Sequence, residues 1–199
     1  MKKVFNIVIV LVIILAIGIF SLTLYRALYV SPDSAEMPSP PAGLSVVESA
    51  SSTEPTRLII PSLSINANVQ HVGLAKSGDL GIPSNFTDAA WYKYGPVPGA
   101  VGNAIIDGHL DNAVSLPGVF KHLNDIEIGD GIYVTTASGQ SIHFKVTGKE
   151  SLPYNSTSTA QIFGASSTAN LILITCGGSW DQAIKEYLNR SVIYSTLVQ

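Results

Sequence analysis

Leu171-Ile172-Leu173-Ile174-Thr175-Cys176-Gly177-Gly178-Ser179-Trp180-Asp181 is the stretch on which the fold turns. Its apolar part is uncharged, is rich in branched side chains and ends at a pair of glycines, so it reads as a buried strand. Comparable short runs recur outward from it: Leu58-Ile59-Ile60, Ala104-Ile105-Ile106, Ile132-Tyr133-Val134, Ile142-His143-Phe144-Lys145-Val146, and Ser191 to Val198. Tyr133 to Val146 reads as a hairpin closed around Ala137-Ser138-Gly139-Gln140, entered through a turn at Ile128-Gly129-Asp130-Gly131. This spacing predicts a mainly β domain, a barrel or a sandwich. Only short helices are expected, over 117–123, where Val119, Phe120 and Leu123 share a face, and over 158–163.

Cys176 is the single cysteine of the 199 residues. A free cysteine is most often a small buried hydrophobe. A thiol at the end of a buried strand, followed by glycines that admit another backbone, is also where a cysteine enzyme carries its nucleophile. Two other segments give the second reading company: Gly108-His109-Leu110-Asp111 after an apolar run, and Asn189-Arg190-Ser191-Val192-Ile193-Tyr194 near the C-terminus.

The N-terminal residues indicate a compartment. From Val4 to Leu24 only Asn6, Gly18, Ser21 and Thr23 interrupt an apolar run. As a helix it would reach about 31 Å, the thickness of a bilayer's hydrocarbon core. It is longer than the core of a cleaved signal peptide, and no small-residue cleavage site follows, so residues 4–25 read as an uncleaved signal anchor. Lys2 and Lys3 precede it and Arg26 follows, which places residues 1–3 in the cytoplasm and the rest of this single-pass chain outside the cell.

Residues 26–56 hold Pro32, Pro38, Pro40, Pro41 and Pro55 among serines and read as an extracellular linker; residues 57–199 suffice for one core. Eight basic against ten acidic residues in that part exclude a nucleic-acid footprint, and one cysteine excludes an internal disulfide. No P-loop, dinucleotide fingerprint or repeat is present. Of His71, His109, His122 and His143, no pair has zinc-ligand spacing. His143 is expected on the polar face of a strand, His122 in an exposed stretch, and His71 after a loop-like Asn66-Ala67-Asn68-Val69-Gln70 segment. Only His109 stands directly after a buried strand and a glycine.

Taken together, the segments resemble the sortases, membrane-anchored cysteine transpeptidases. The resemblance runs from Arg57-Leu58-Ile59-Ile60-Pro61 through Ala90-Trp91-Tyr92, Gly95-Pro96-Val97-Pro98-Gly99 and Gly102-Asn103-Ala104-Ile105-Ile106-Asp107-Gly108-His109. It continues through Gly118-Val119-Phe120, Leu123 and Gly129-Asp130, then Thr175-Cys176 and Arg190. Cys176-Gly177-Gly178 with Trp180-Asp181 looks most like class F. Two departures stand out. Ile172 occupies the place of the first Thr in the family's Thr-Leu-x-Thr-Cys, and Arg190 lies just before the last strand rather than nearer the cysteine as in class F.

The resemblance implies a closed β-barrel of about eight strands and a catalytic set of Cys176 as nucleophile, His109 as general acid and base, and Arg190 as stabiliser of the oxyanion or substrate. Cys176 attacks as a thiolate, whose formation a neighbouring imidazolium or guanidinium favours. Thr175, Gly177, Trp180 and Leu116 are expected at the substrate site, and Leu74, Ile82 and Pro83 line the groove or belong to the core. The implied reaction cleaves a Leu-Pro-x-Thr-Gly-like sorting signal of a secreted protein between Thr and Gly. The acyl group passes to an amine of a cell-wall precursor or a pilin lysine. No cofactor is expected; Asp79, Asp88, Asp107 and Asp111 are available to calcium, but exposed acids are usually just solvated. An L,D-transpeptidase is disfavoured because the chain lacks a Ser/Thr-His-Gly-Cys cluster. A cysteine peptidase without transfer, or a noncatalytic surface-binding module with Cys176 inert, remain alternatives.

Overall fold

Alternation builds the sheet: in β5 (Gly131–Thr136) Ile132, Val134 and Thr136 are buried while their neighbours are half-exposed. A strand with one buried face must be covered by another. The computed structural model, which describes residues 2–29, 52–76, 78–112, 114–156 and 159–198, satisfies this by closing the sheet on itself. The strands are β1 (Pro55–Ile60), β2 (Ile65–Val72), β3 (Ala89–Tyr92), β4 (Gly102–Gly108), β5, β6 (Ser141–Pro153), β7 (Ala169–Asp181) and β8 (Glu186–Leu197). Their spatial order is β1-β2-β3-β4-β7-β8-β6-β5, and β1 pairs with β5 to complete an eight-stranded barrel. The pairs β2–β3 and β4–β7 are parallel; the remainder are antiparallel.

The interior is filled by Leu58, Ile60, Ala104, Ile106, Ile132, Val134, Phe144, Leu171, Leu173 and Ile193, all fully buried. Each of these side chains larger than that of Ala104 contributes about 1.5–3 kcal/mol relative to exposure. A smaller cluster lies on the opposite face of the same strands: Ile105, Ile172, Ile174 and Val192 pack with Ile162 of the short helix α2 (Thr159–Phe163). Thus β4 and β7 are apolar on both faces, as parallel-paired strands commonly are.

The hairpin over 133–146 forms as expected, with Tyr133 opposite His143. Three local expectations are corrected. Residues 66–70 are not a loop but the middle of β2, whose polar residues face outward and whose Ala67 and Val69 are buried. Residues 117–123 form turns that end in a 3-10 segment, Leu123–Asp125, because Phe120, Leu123 and Ile126 are drawn into the barrel core. Third, β7 does not end at Cys176 but continues to Asp181 past an irregularity between Gly177 and Trp180.

At the N-terminus, α1 (Lys2–Tyr29) contains an apolar stretch, Asn6–Arg26, long enough to cross a membrane. Of the linker expected over 26–56, residues 30–51 lie outside the described residues, Arg26 to Tyr29 are helical, and β1 already begins at Pro55.

Candidate active site

Three neighbouring strands present the site. Within β7, Leu171 and Leu173 enter the barrel while Ile172 and Ile174 face outward, so the two-residue period sends Cys176 outward as well. On β8, Ile193 is inside and Val192 outside, which sends Arg190 outward. Cys176 and Arg190 are directly opposed across the antiparallel β7–β8 ladder, where facing side chains start about 5 Å apart. On the other side, β4 runs parallel to β7 with Asp107 beside Ile174, so His109, two residues further on, emerges at the level of Cys176.

His109 is held from several directions. Its Nε2 lies 3.1 Å from the Pro83 carbonyl oxygen. A carbonyl only accepts, so Nε2 carries the hydrogen and Nδ1 is the nitrogen able to exchange a proton. The ring packs against Phe86 at 4.6 Å between centroids. Its own carbonyl accepts from the Phe120 amide at 2.9 Å. Gly108 and Gly118 make these approaches possible: a Cβ on Gly108 would stand 2.6 Å from Phe120, and one on Gly118 would meet the His109 carbonyl.

Thr175 is placed otherwise than expected. It is buried, and its hydroxyl donates to the Gly108 carbonyl at 2.7 Å, tying the neighbour of Cys176 to the neighbour of His109 rather than facing outward with Cys176. Gly177 is buried against Ser191, where a Cβ would stand 2.6 Å from the serine oxygen. Trp180 is exposed and meets the Tyr187 ring edge-on at 5.2 Å. Leu116 is exposed in the loop that follows His109, and so is Leu74, whereas Pro83 is buried and Ile82 half-buried.

Arg190 is engaged at both ends of its fork. Nη1 donates to the carbonyls of Tyr187 and Asn189 at 3.2 and 3.1 Å, and Nη2 pairs with Glu186 Oε1 at 3.2 Å. The electrostatics of Cys176 run against the expected lowering. Burial pushes its thiol up to about 11; Arg190 pulls the other way, and Asp107, Glu186 and Asp111 add to the rise. Burial likewise pushes Asp107 up to about 7 against the attraction of Arg190. The half-buried cysteine is therefore a protonated thiol in this arrangement.

From the sequence Asp107 and Asp111 were weighed only as exposed acids available to calcium; the structure instead sets both near the thiol, with Asp111 largely buried. Asp111 accepts from the Tyr187 hydroxyl and pairs with Lys121 Nζ at 3.1 Å. The visible signal was an acid two residues after the histidine. Among the described residues no three His, Cys, Asp or Glu side chains come together as metal ligands. Asp88 receives hydrogen bonds from Gln70 and Asn85.

Comparison with known proteins bears on the family and the fold. The family model of the sortase domain matches residues 58–198. Solved structures similar to the chain include sortase A from Corynebacterium diphtheriae, with a TM-score of 0.55 at 19% identity, covering 72% of this chain and 60% of that one. Sortase C-1 from Actinomyces oris gives 0.56 at 18% identity, over 72% and 71%. A Clostridium perfringens sortase D5 transpeptidase gives 0.55 at 15%, over 73% and 79%. No curated protein matches the sequence.

Proposed function

The chain belongs to the sortase family, and from that premise we propose that it is a membrane-anchored cysteine transpeptidase acting through Cys176, His109 and Arg190. The observation that carries this reading is the direct opposition of Cys176 and Arg190 across β7–β8, with His109 leaving the adjacent β4 at the same level. The substrate is a peptide with a Leu-Pro-x-Thr-Gly-like signal. Resemblance to class F rests on Cys176-Gly177-Gly178 and Trp180-Asp181.

In the proposed sequence, Nδ1 of His109 removes the thiol proton as Sγ attacks the Thr carbonyl carbon. Arg190 donates to the oxyanion that forms. The carbon–nitrogen bond breaks, the Gly amine leaves with the proton from His109, and a thioester on Cys176 remains. An incoming amine then loses a proton to His109 and attacks the thioester, and an amide forms as the thiol is released. A thiol near 11 at rest is consistent with this order, since its proton then leaves only as the attack proceeds, to His109 acting as general base.

In the proposed topology, residues 4–25 anchor the chain, residues 26–56 tether it and residues 57–199 act outside the cell. Enzyme and substrate held in one membrane meet at raised effective concentration. The high thiol pKa also favours a second reading, a surface-binding module with an inert thiol. Intact-mass spectrometry of the full chain in nanodiscs with a signal peptide and an amine separates the two. The transpeptidase reading expects a thioester adduct that resolves to amide product and is absent from Cys176→Ala and His109→Ala. Absence of any adduct, with alkylation only on unfolding, points to the inert module.

A further inference from the structure

The loop that carries His109 and the β7–β8 arm that carries Cys176 and Arg190 belong to different parts of the chain, yet they must keep one mutual geometry. Near the barrel, the Thr175–Gly108 hydrogen bond ties them. Farther out, β7 passes its irregularity between Gly177 and Trp180, with Gly178 at φ +73°, so the arm beyond that point is set by other contacts. There the Tyr187 hydroxyl reaches Asp111, 2.8 Å from Oδ1 and 2.7 Å from Oδ2. Asp111 is well buried, its side chain only 10% exposed, with Lys121 as its cationic partner. A hydrogen bond to a buried carboxylate is short and strong.

Tyr187 also faces the other half of the site. Its carbonyl accepts from Arg190 Nη1 at 3.2 Å, and its ring meets Trp180. Asp111, for its part, begins the loop that its pairing with Pro117 closes, and Gly118 and Phe120 bond back to Leu110 and His109. One residue thus touches the histidine's loop and the exposed tryptophan through its side chain, and the arginine's guanidinium through its backbone carbonyl.

We propose that Tyr187 is a positioning residue: its hydrogen bond to Asp111 latches the His109 loop onto the β7–β8 arm and so sets the spacing of histidine, cysteine and arginine. Its kinetic consequence rests on the transpeptidase reading above. A small misplacement of reacting groups is costly in rate while leaving ground-state binding nearly intact.

The test uses the full chain in nanodiscs with a signal peptide. Tyr187→Phe and Asp111→Ala are each expected to slow thioester formation about tenfold, with the peptide concentration for half-saturation unchanged. Asp111→Asn retains an acceptor for the phenol and is expected to recover most of the rate. The double variant Tyr187→Phe/Asp111→Ala should be no slower than either single one, because both break the same bond. Wild-type rates in both single variants, or losses that add in the double, would overturn the latch. Hydrogen exchange at the Asn112, Ser115 and Gly118 amides supplies a readout independent of turnover: it should quicken alike in Tyr187→Phe and Asp111→Ala. If the wild type forms no thioester, the transpeptidase reading fails, and unchanged exchange in these variants rejects the latch separately.

Discussion

At the scale of the residue, the proposed chemistry turns on which charges face Cys176. Asp107 is a negative neighbour on the same outward face, and a negative charge disfavours the thiolate. Asp107→Asn is therefore expected to move the inflection of the alkylation-rate profile of Cys176 below about 11. The same carboxyl makes stability depend on pH. Its proton is held more tightly in the folded chain, at about 7, than at the ordinary 3.8, so folding is favoured at low pH and loses that contribution as pH rises between the two values. Asp107→Asn should flatten the unfolding free energy over this window, as chemical denaturation at a series of pH values would read; an unchanged slope would assign the pH dependence elsewhere. Arg190→Lys keeps a charge but loses the planar fork, and should slow thioester formation by about 10²–10³ if it serves the oxyanion.

At the scale of the element, two glycines set how closely the loop over 109–118 can fold back. Gly118→Ala places a Cβ 2.3 Å from the His109 carbonyl oxygen, a backbone atom that cannot step aside. The expected cost is about 2 kcal/mol or more, a fall in Tm of about 4–8 °C by calorimetry. The strands themselves were largely legible beforehand. Runs such as Leu171 to Thr175 announce themselves because a strand buried on both faces has no polar period to break it. By contrast β2 was missed: Asn66, Asn68 and Gln70 alternate with small or branched residues, and such polar positions make a strand only when β1 and β3 lie alongside. The helix expected over 117–123 failed for the converse reason, since the barrel core takes Phe120, Leu123 and Ile126 from one short turn-rich segment.

At the scale of the molecule, a barrel leaves no open edge: runs of consecutive strands are closed into a ring by the long-range pairs β1–β5, β4–β7 and β6–β8. Asn112 Nδ2 donates to the Leu28 carbonyl, so the end of α1 meets the loop that follows His109. If α1 anchors the protein beside its substrates, deleting residues 1–30 should slow processing of a membrane-tethered substrate far more than of a free peptide, measured side by side in vesicles. Equal slowing of both would mean that α1 supports the loop rather than the encounter. By itself the sequence determined the β class, the apolar N-terminal helix and the three side chains with suitable chemistry, because hydrophobic period and residue type are local properties. Only the tertiary structure decided that Cys176 opposes Arg190, that Thr175 turns inward, that Asp107 and Asp111 stand near the thiol and that Tyr187 bridges the two halves. The first fact depends on the register of the β7–β8 hairpin and the others on segments distant in the chain, and a shift of one residue in a strand would have sent its side chains to the other face.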